Sequence, residues 1–123
     1  MKDIMAVFIG SGIGGVTRYG LSYLINKWAN HLFPIATLSV NFFACLTLGV
    51  IIGLIDHKHV LPAGSKWLLS VGFCGGFSTF STFTAETIQL FHQGNYGLAA
   101  LYVISSIFIC IGAFAMGIYL ITR

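Results

Sequence analysis

Four apolar runs of similar length, separated by three short polar breaks, leave this chain few folds to choose from. The first extends from about Ile4 to Ile25, and Lys27, Asn30, His31 and Pro34 end it. The second, about Ile35 to Ile55, stops at Asp56-His57-Lys58-His59. Pro62, Gly64, Ser65 and Lys66 lead into the third, about Trp67 to Phe91. His92-Gln93-Gly94-Asn95 then divides it from the fourth, about Tyr96 to Ile121. Crossing the hydrocarbon core of a bilayer takes roughly 20 helical residues. Each run meets that length and little is left over. Residues 1–123 therefore read as a single all-α, four-helix transmembrane domain, with helices at about 4–25, 35–55, 67–91 and 96–121.

The charges agree. Only 7% of the 123 residues are charged and 57% are apolar, whereas soluble domains carry about 25% charged residues. Lipid must be the solvent for most of this surface. Lys2, Lys27, Lys58, Lys66 and Arg123 fall at the ends of the runs, where cations meet headgroups. They form no basic cluster, so no nucleic-acid partner is expected. Four spans put both termini on one side, together with Lys2, Lys58, Lys66 and Arg123, against Lys27 on the other. That bias favours a cytoplasmic N-terminus. Lys2 before an apolar run resembles the start of a signal peptide. The run, however, contains Gly10, Gly12, Gly14, Gly15 and Arg18 with no clear cleavage site, so a retained first helix is expected. Cys45, Cys74 and Cys110 match neither a metal knuckle nor a disulfide framework and read as small core residues. His31, His57, His59 and His92 are all expected in loops, without a nucleophile or metal partner at useful spacing. They read as interfacial, and no enzyme is implied.

Small residues recur four apart: Gly10 with Gly14, Gly49 with Gly53, Gly72 with Gly76, and Ala113 with Gly117. This spacing lets helix backbones approach closely in lipid. Helices packed so tightly leave little room for a wide pore in one copy, so conduction would call for an oligomer.

Polar groups inside a membrane are costly and need a reason. In the second span, Thr37, Asn41, Cys45 and Gly49 share one i, i+4 row. The Asn41 amide offers two N–H donors, and the row serves equally as interhelical glue or as a polar lining. In the fourth span, Tyr102, Ser106 and Cys110 form a similar row beside Ser105. Taken alone, its hydroxyls are best read as bonding back to carbonyls of the preceding turn. The third span carries the strongest signal, Gly72-Phe73-Cys74-Gly75-Gly76-Phe77-Ser78-Thr79-Phe80-Ser81-Thr82-Phe83-Thr84. Gly75-Gly76 weakens a helix near mid-membrane, each glycine costing about 1 kcal/mol relative to alanine. Unwound backbone at that depth survives only buried in protein or lining a cavity, where its carbonyls can meet a cation. Phe77, Phe80 and Phe83 recur every third residue between hydroxyls. Phenylalanines in a membrane helix ordinarily face lipid or core, but a ring presented edge-on offers a positive rim to a small anion. Arg18 must snorkel, pair or face water. Glu86, late in the third span, stands either as its partner or as a helix-end residue.

Gly14-Gly15-Val16-Thr17-Arg18-Tyr19, Thr37-Leu38-Ser39-Val40-Asn41 and the third-span motif from Gly72 to Phe83 resemble the signatures of the Fluc (CrcB) fluoride channels, and the likeness covers the whole chain. The resemblance implies an antiparallel homodimer with dual topology, a third helix broken near its middle, and two fluoride pathways along the dimer interface. It implies a pathway built from Phe80, Phe83 and Asn41, with hydroxyls from Ser81, Thr37, Tyr102 and Ser106. It places Arg18 at an aqueous vestibule. It also implies a structural sodium ion held by the backbone carbonyls of Gly75 and Ser78. Ser78 replaces a threonine found in many relatives, a change to which a carbonyl ligand is indifferent. Cys110 stands where some relatives carry a hydroxyl and is not assigned to the path.

The expected activity is passive export of fluoride across the inner (plasma) membrane. The chain shows no nucleotide motif and no mid-span carboxylate to couple protons. Permeant HF would load the cytosol, and an electronegative interior would drive the anion out. A narrow path must offer strong donors yet release the ion. A proton-coupled four-span exporter is the first rival, but it wants a carboxylate embedded in the first helix, which has only Asp3 at its start. A non-transporting assembly subunit is the second.

Overall fold

The computed structural model describes residues 1–29, 32–62 and 64–123; Asn30 and His31, expected in the first break, lie outside them. Four helices are long and apolar enough to cross a membrane: Lys2–Trp28, Ile35–His57, Trp67–His92 and Tyr96–Thr122. Lys27 sits in the last turn of the first and Asp56 at the end of the second, so the charges do mark the helix ends, but His57 and His92, expected in loops, are the last residues of the second and third helices. Gly94 adopts φ 76° in the turn after the third helix, a conformation that side chains with a Cβ avoid.

Packing follows the small residues. A Cβ built on Gly14 would stand 2.2 Å from the Phe73 carbonyl oxygen and 2.8 Å from the Phe77 nitrogen. The first helix thus lies backbone to backbone on the start of the third, and the Ser11 hydroxyl reaches the Gly72 carbonyl at 3.4 Å. A Cβ on Gly49 would meet the Phe114 carbonyl oxygen at 2.2 Å, and one on Gly117 the Leu46 carbonyl oxygen at 2.4 Å, which joins the second helix to the fourth in the same way. In lipid such contact supplies the dispersion attraction that a hydrophobic effect supplies in water. Val40, Ala44 and Phe77 form a small core where the two pairs meet.

The third helix is interrupted. Its first part is π-wound over Trp67–Cys74 and continues through Gly75–Phe77. Ser78 then turns to ψ 159° and Thr79 to φ −148°, ψ 115°, before the second part runs over Phe80–His92. The weak point expected at Gly75-Gly76 is therefore displaced by one turn. Both glycines stay helical, and Gly76 lies tight against the Ser11 backbone, which leaves it no room to unwind. The chain opens instead where polar side chains can take over the backbone's hydrogen bonds.

Candidate functional site

Asn41 is what makes the break tolerable. Its Oδ1 accepts the Thr79 backbone N–H at 2.8 Å, and its Nδ2 donates to the Thr79 carbonyl at 3.1 Å. The amide thereby replaces the backbone partners that Thr79 has lost, as buried peptide groups require. One Nδ2 hydrogen remains to give. Thr79 also caps the helix that restarts after it: its Oγ1 accepts the Thr82 N–H at 3.2 Å and donates to the Thr82 hydroxyl at 2.9 Å. Thr79 went unrecognised in the sequence, although a threonine followed by three helix-compatible residues is an ordinary capping signal.

The break opens a cavity of about 250 Å³ between the second, third and fourth helices. Asn41, Phe80, Phe83 and Ser106 line it together with Ser78, Thr79, Cys45 and Cys110. The Ser106 hydroxyl is buried there without a hydrogen-bond partner, rather than bonding back along its own helix. Ser105 is the hydroxyl that does bond back, to the Tyr102 carbonyl at 3.2 Å. Phe80 and Phe83 pack with centroids 5.6 Å apart and their planes tilted by 39°. Phe80 is 78% exposed at the open side of the cavity, whereas Phe77 is 5% exposed in the core. The break has split the three-residue aromatic repeat between two faces. Ser81 is exposed and does not line the cavity; its hydroxyl lies 3.3 Å from that of Thr79, which does.

Thr37 and Tyr102 stand elsewhere. Both are buried, and both donate to Glu86: Thr37 Oγ1 to Oε1 at 2.8 Å, and the Tyr102 hydroxyl to Oε2 at 2.7 Å. Glu86 is thus neither a partner of Arg18 nor a helix-end residue. It borders a second cavity of about 270 Å³ with Asn26, Pro34, Gln89 and Gln93. The Tyr102 ring lies between the two regions, 5.1 Å from that of Phe83. A hydrogen bond to a part-buried carboxyl is worth about 1 to 3 kcal/mol. Tyr102→Phe should lower stability by up to that amount, measured as a lower thermal-unfolding midpoint in detergent, because Glu86 Oε2 loses the tyrosine hydroxyl that now holds it.

Arg18 reaches the break from the other side, its Nη1 donating to the Ser78 carbonyl at 3.3 Å. Gly75 and Ser78 line a third, smaller cavity of about 140 Å³ with Ser70, whose buried hydroxyl has no partner. A continuous helix would give the Thr79 N–H to the Gly75 carbonyl; here Asn41 takes it and releases that oxygen. Cys74 packs in the core beside Ile51 and Ile55, as expected of a small apolar residue, and borders the third cavity with Cys45; Cys45 and Cys110 are half-buried on the wall of the cavity at the break.

Comparison with known proteins bears on the same residues. A profile of the family described as CrcB-like protein, Camphor Resistance (CrcB), matches residues 5–118. A protein of Azobacteroides pseudotrichonymphae genomovar. CFP2 named fluoride-specific ion channel FluC is 38% identical over 123 residues, covering 100% of this chain and 98% of its own length. The proteins of that name from Nitrobacter winogradskyi (37% over 118 residues, 96% of this chain and 94% of theirs) and Coxiella burnetii (38% over 117 residues, 94% of each) are similar to it as well. These relatives are named as ion channels and not as enzymes. With four membrane-crossing helices and a match across nearly its whole length, the chain is a multi-pass membrane protein that belongs to the CrcB-like family.

Proposed function

We propose that the chain is a fluoride-selective channel that exports the ion passively and so lowers its toxicity inside the cell. The observation that carries this reading is the cavity at the helix break. There an amide N–H of Asn41, the free hydroxyl of Ser106 and the rings of Phe80 and Phe83 surround one small space. Fluoride holds its water tightly, and only close, fixed donors can replace that water. The restarted helix Phe80–His92 also begins at this cavity, and its N-terminal N–H groups carry partial positive charge. Ser81 beside Thr79, and Thr37 and Tyr102 one turn along their helices from Asn41 and Ser106, would continue the line of hydroxyls. Each of the last two would exchange its acceptor on Glu86 for the passing ion. Arg18 would draw anions toward the break from the vestibule. Chloride is larger and gains less from such donors, so a narrow path excludes it.

A single chain leaves the cavity open at Phe80, and we assign the closing wall to a second copy. In an antiparallel homodimer two such cavities would give two pores along the interface. Near the axis, the Gly75 carbonyl freed at the break, the Ser78 carbonyl with its remaining lone pair, and the unpartnered Ser70 hydroxyl offer oxygen to a hard cation. These groups fit sodium, with Gly75 and Ser78 as the backbone ligands, and the ion would supply fixed positive charge between the two breaks. The membrane would be the cell's inner (plasma) membrane, where the electrical potential drives anions outward.

Dual insertion needs nearly balanced loop charges, and four basic residues against one is a mild bias. A terminal tag in cells should be labelled equally from both faces; labelling from one face only would overturn the antiparallel arrangement. For conduction, purified protein in vesicles loaded with fluoride should release it under an imposed gradient and hold chloride. Phe80→Ile should lower that release at least tenfold, because aliphatic carbon has no positive rim. Vesicles that stayed sealed to fluoride with the native chain would sink the reading.

A further inference from the structure

Two features of the break cavity play no part in the proposed conduction: Cys45 and Cys110. We propose that these two thiols together form a binding site for a soft, two-coordinate metal cation such as mercuric or silver ion. Cys45 lies one turn beyond Asn41 on the second helix, and Cys110 one turn beyond Ser106 on the fourth. Both line the same cavity and both are half-buried, one on each of the two facing helices. The cavity of about 250 Å³ gives room for a bound species, and the Ser106 hydroxyl, 8% exposed and on the same wall, is left without a partner there. Their spacing is fixed from outside the cavity. Gly49, the next turn along from Cys45, is locked against Phe114 and Gly117 of the fourth helix, so the two sulfur-bearing helices cannot drift apart.

The metal class follows from what surrounds the thiols. Among the described residues, no group of three or more His, Cys, Asp or Glu side chains could hold a metal ion. That excludes the tetrahedral ligand sets zinc prefers. Two sulfurs, with no carboxylate or imidazole among the other residues that line the cavity, suit soft d10 ions, which accept two thiolates in line. As each sulfur–metal bond forms, the thiol gives its proton to water; no electrons change hands, and one mercuric ion releases two protons. An ion seated there lies beside Asn41 and Phe83 and would stop anion flow. That consequence rests on the pathway proposed above, whereas the binding itself does not.

The test titrates the purified full-length chain in detergent with mercuric chloride and follows the ultraviolet mercury–thiolate absorbance. One tightly bound ion per chain is expected. Cys45→Ser and Cys110→Ser should each weaken binding by roughly a hundredfold, since one of two thiolates is gone. Cys74→Ser, whose sulfur lies in the core beside Ile51, should bind as the native chain does. In vesicles, with each variant compared to its own untreated flux, mercuric ion should stop fluoride release in the native chain and in Cys74→Ser only. Binding that survives in both Cys45→Ser and Cys110→Ser, or that vanishes only in Cys74→Ser, overturns the proposal. Binding as expected in vesicles that never pass fluoride would uphold the thiol site and remove the conduction reading instead.

Discussion

Asn41→Asp should abolish fluoride release from vesicles while the protein still elutes as a folded assembly. The substitution keeps the shape and the acceptor for the Thr79 N–H but removes both amide donors. The bond from Nδ2 to the Thr79 carbonyl is lost, and an oxygen now faces that oxygen. A fixed negative charge also enters the space through which the anion would pass. At about 4 Å and an effective dielectric constant of about 20, two like unit charges repel by about 4 kcal/mol. That is close to a thousandfold in occupancy or rate. The measurement is fluoride efflux under a potassium diffusion potential, with size-exclusion elution as the check on assembly. Undiminished flux would take Asn41 out of the path and leave it only the task of holding the break. Stopped flux with an intact assembly separates the two roles, since a purely structural asparagine would fail in folding first.

The second large effect concerns packing. Gly14→Leu should prevent recovery of folded protein. The first atom of any side chain at this position would already lie 2.2 Å from a backbone oxygen of the third helix, and backbone cannot rotate away as a side chain can. The helices would have to separate along the whole contact, losing the close approach that binds them in lipid. Overpacking usually costs about 1 to 3 kcal/mol where side chains can adjust, and more where they cannot. Gly12→Ala and Gly15→Ala provide the comparison. A Cβ at either position meets nothing within 4 Å, so yield and unfolding temperature should stay at native values. Equal damage from all three would mean that glycine matters here for some reason other than contact.

Much of this architecture was legible in the sequence. The spans follow from where Lys27, Asp56 and Lys66 interrupt apolar runs. The pairing of helices follows from small residues four apart, because only they allow backbones to touch. The break was legible in kind but not in place. Glycine weakness is a local property, whereas the position of the opening was decided by Ser11 holding Gly76 and by Asn41 reaching Thr79 from 38 residues away. Glu86 was out of reach for the same reason. Its partners stand 49 residues before it and 16 after, with no periodicity linking them. Asn41, Phe80, Phe83 and Ser106 were grouped by resemblance, and they do meet around one cavity. Cys45 and Cys110 were misjudged as core because hydropathy does not say which side of a helix faces a void.

The glycine contacts carry a consequence for how such a chain is made. The tight partners are the first helix with the third and the second with the fourth. Helices that alternate across a bilayer point the same way when one other lies between them, so both seams join parallel neighbours, and neither is a hairpin. During synthesis the second helix must therefore wait in lipid with its glycine groove bare until the ribosome has finished the fourth. The last 27-residue helix acts as a latch, and a nascent chain stopped at His92 would be left half-zipped, with one seam closed and the other still looking for its mate.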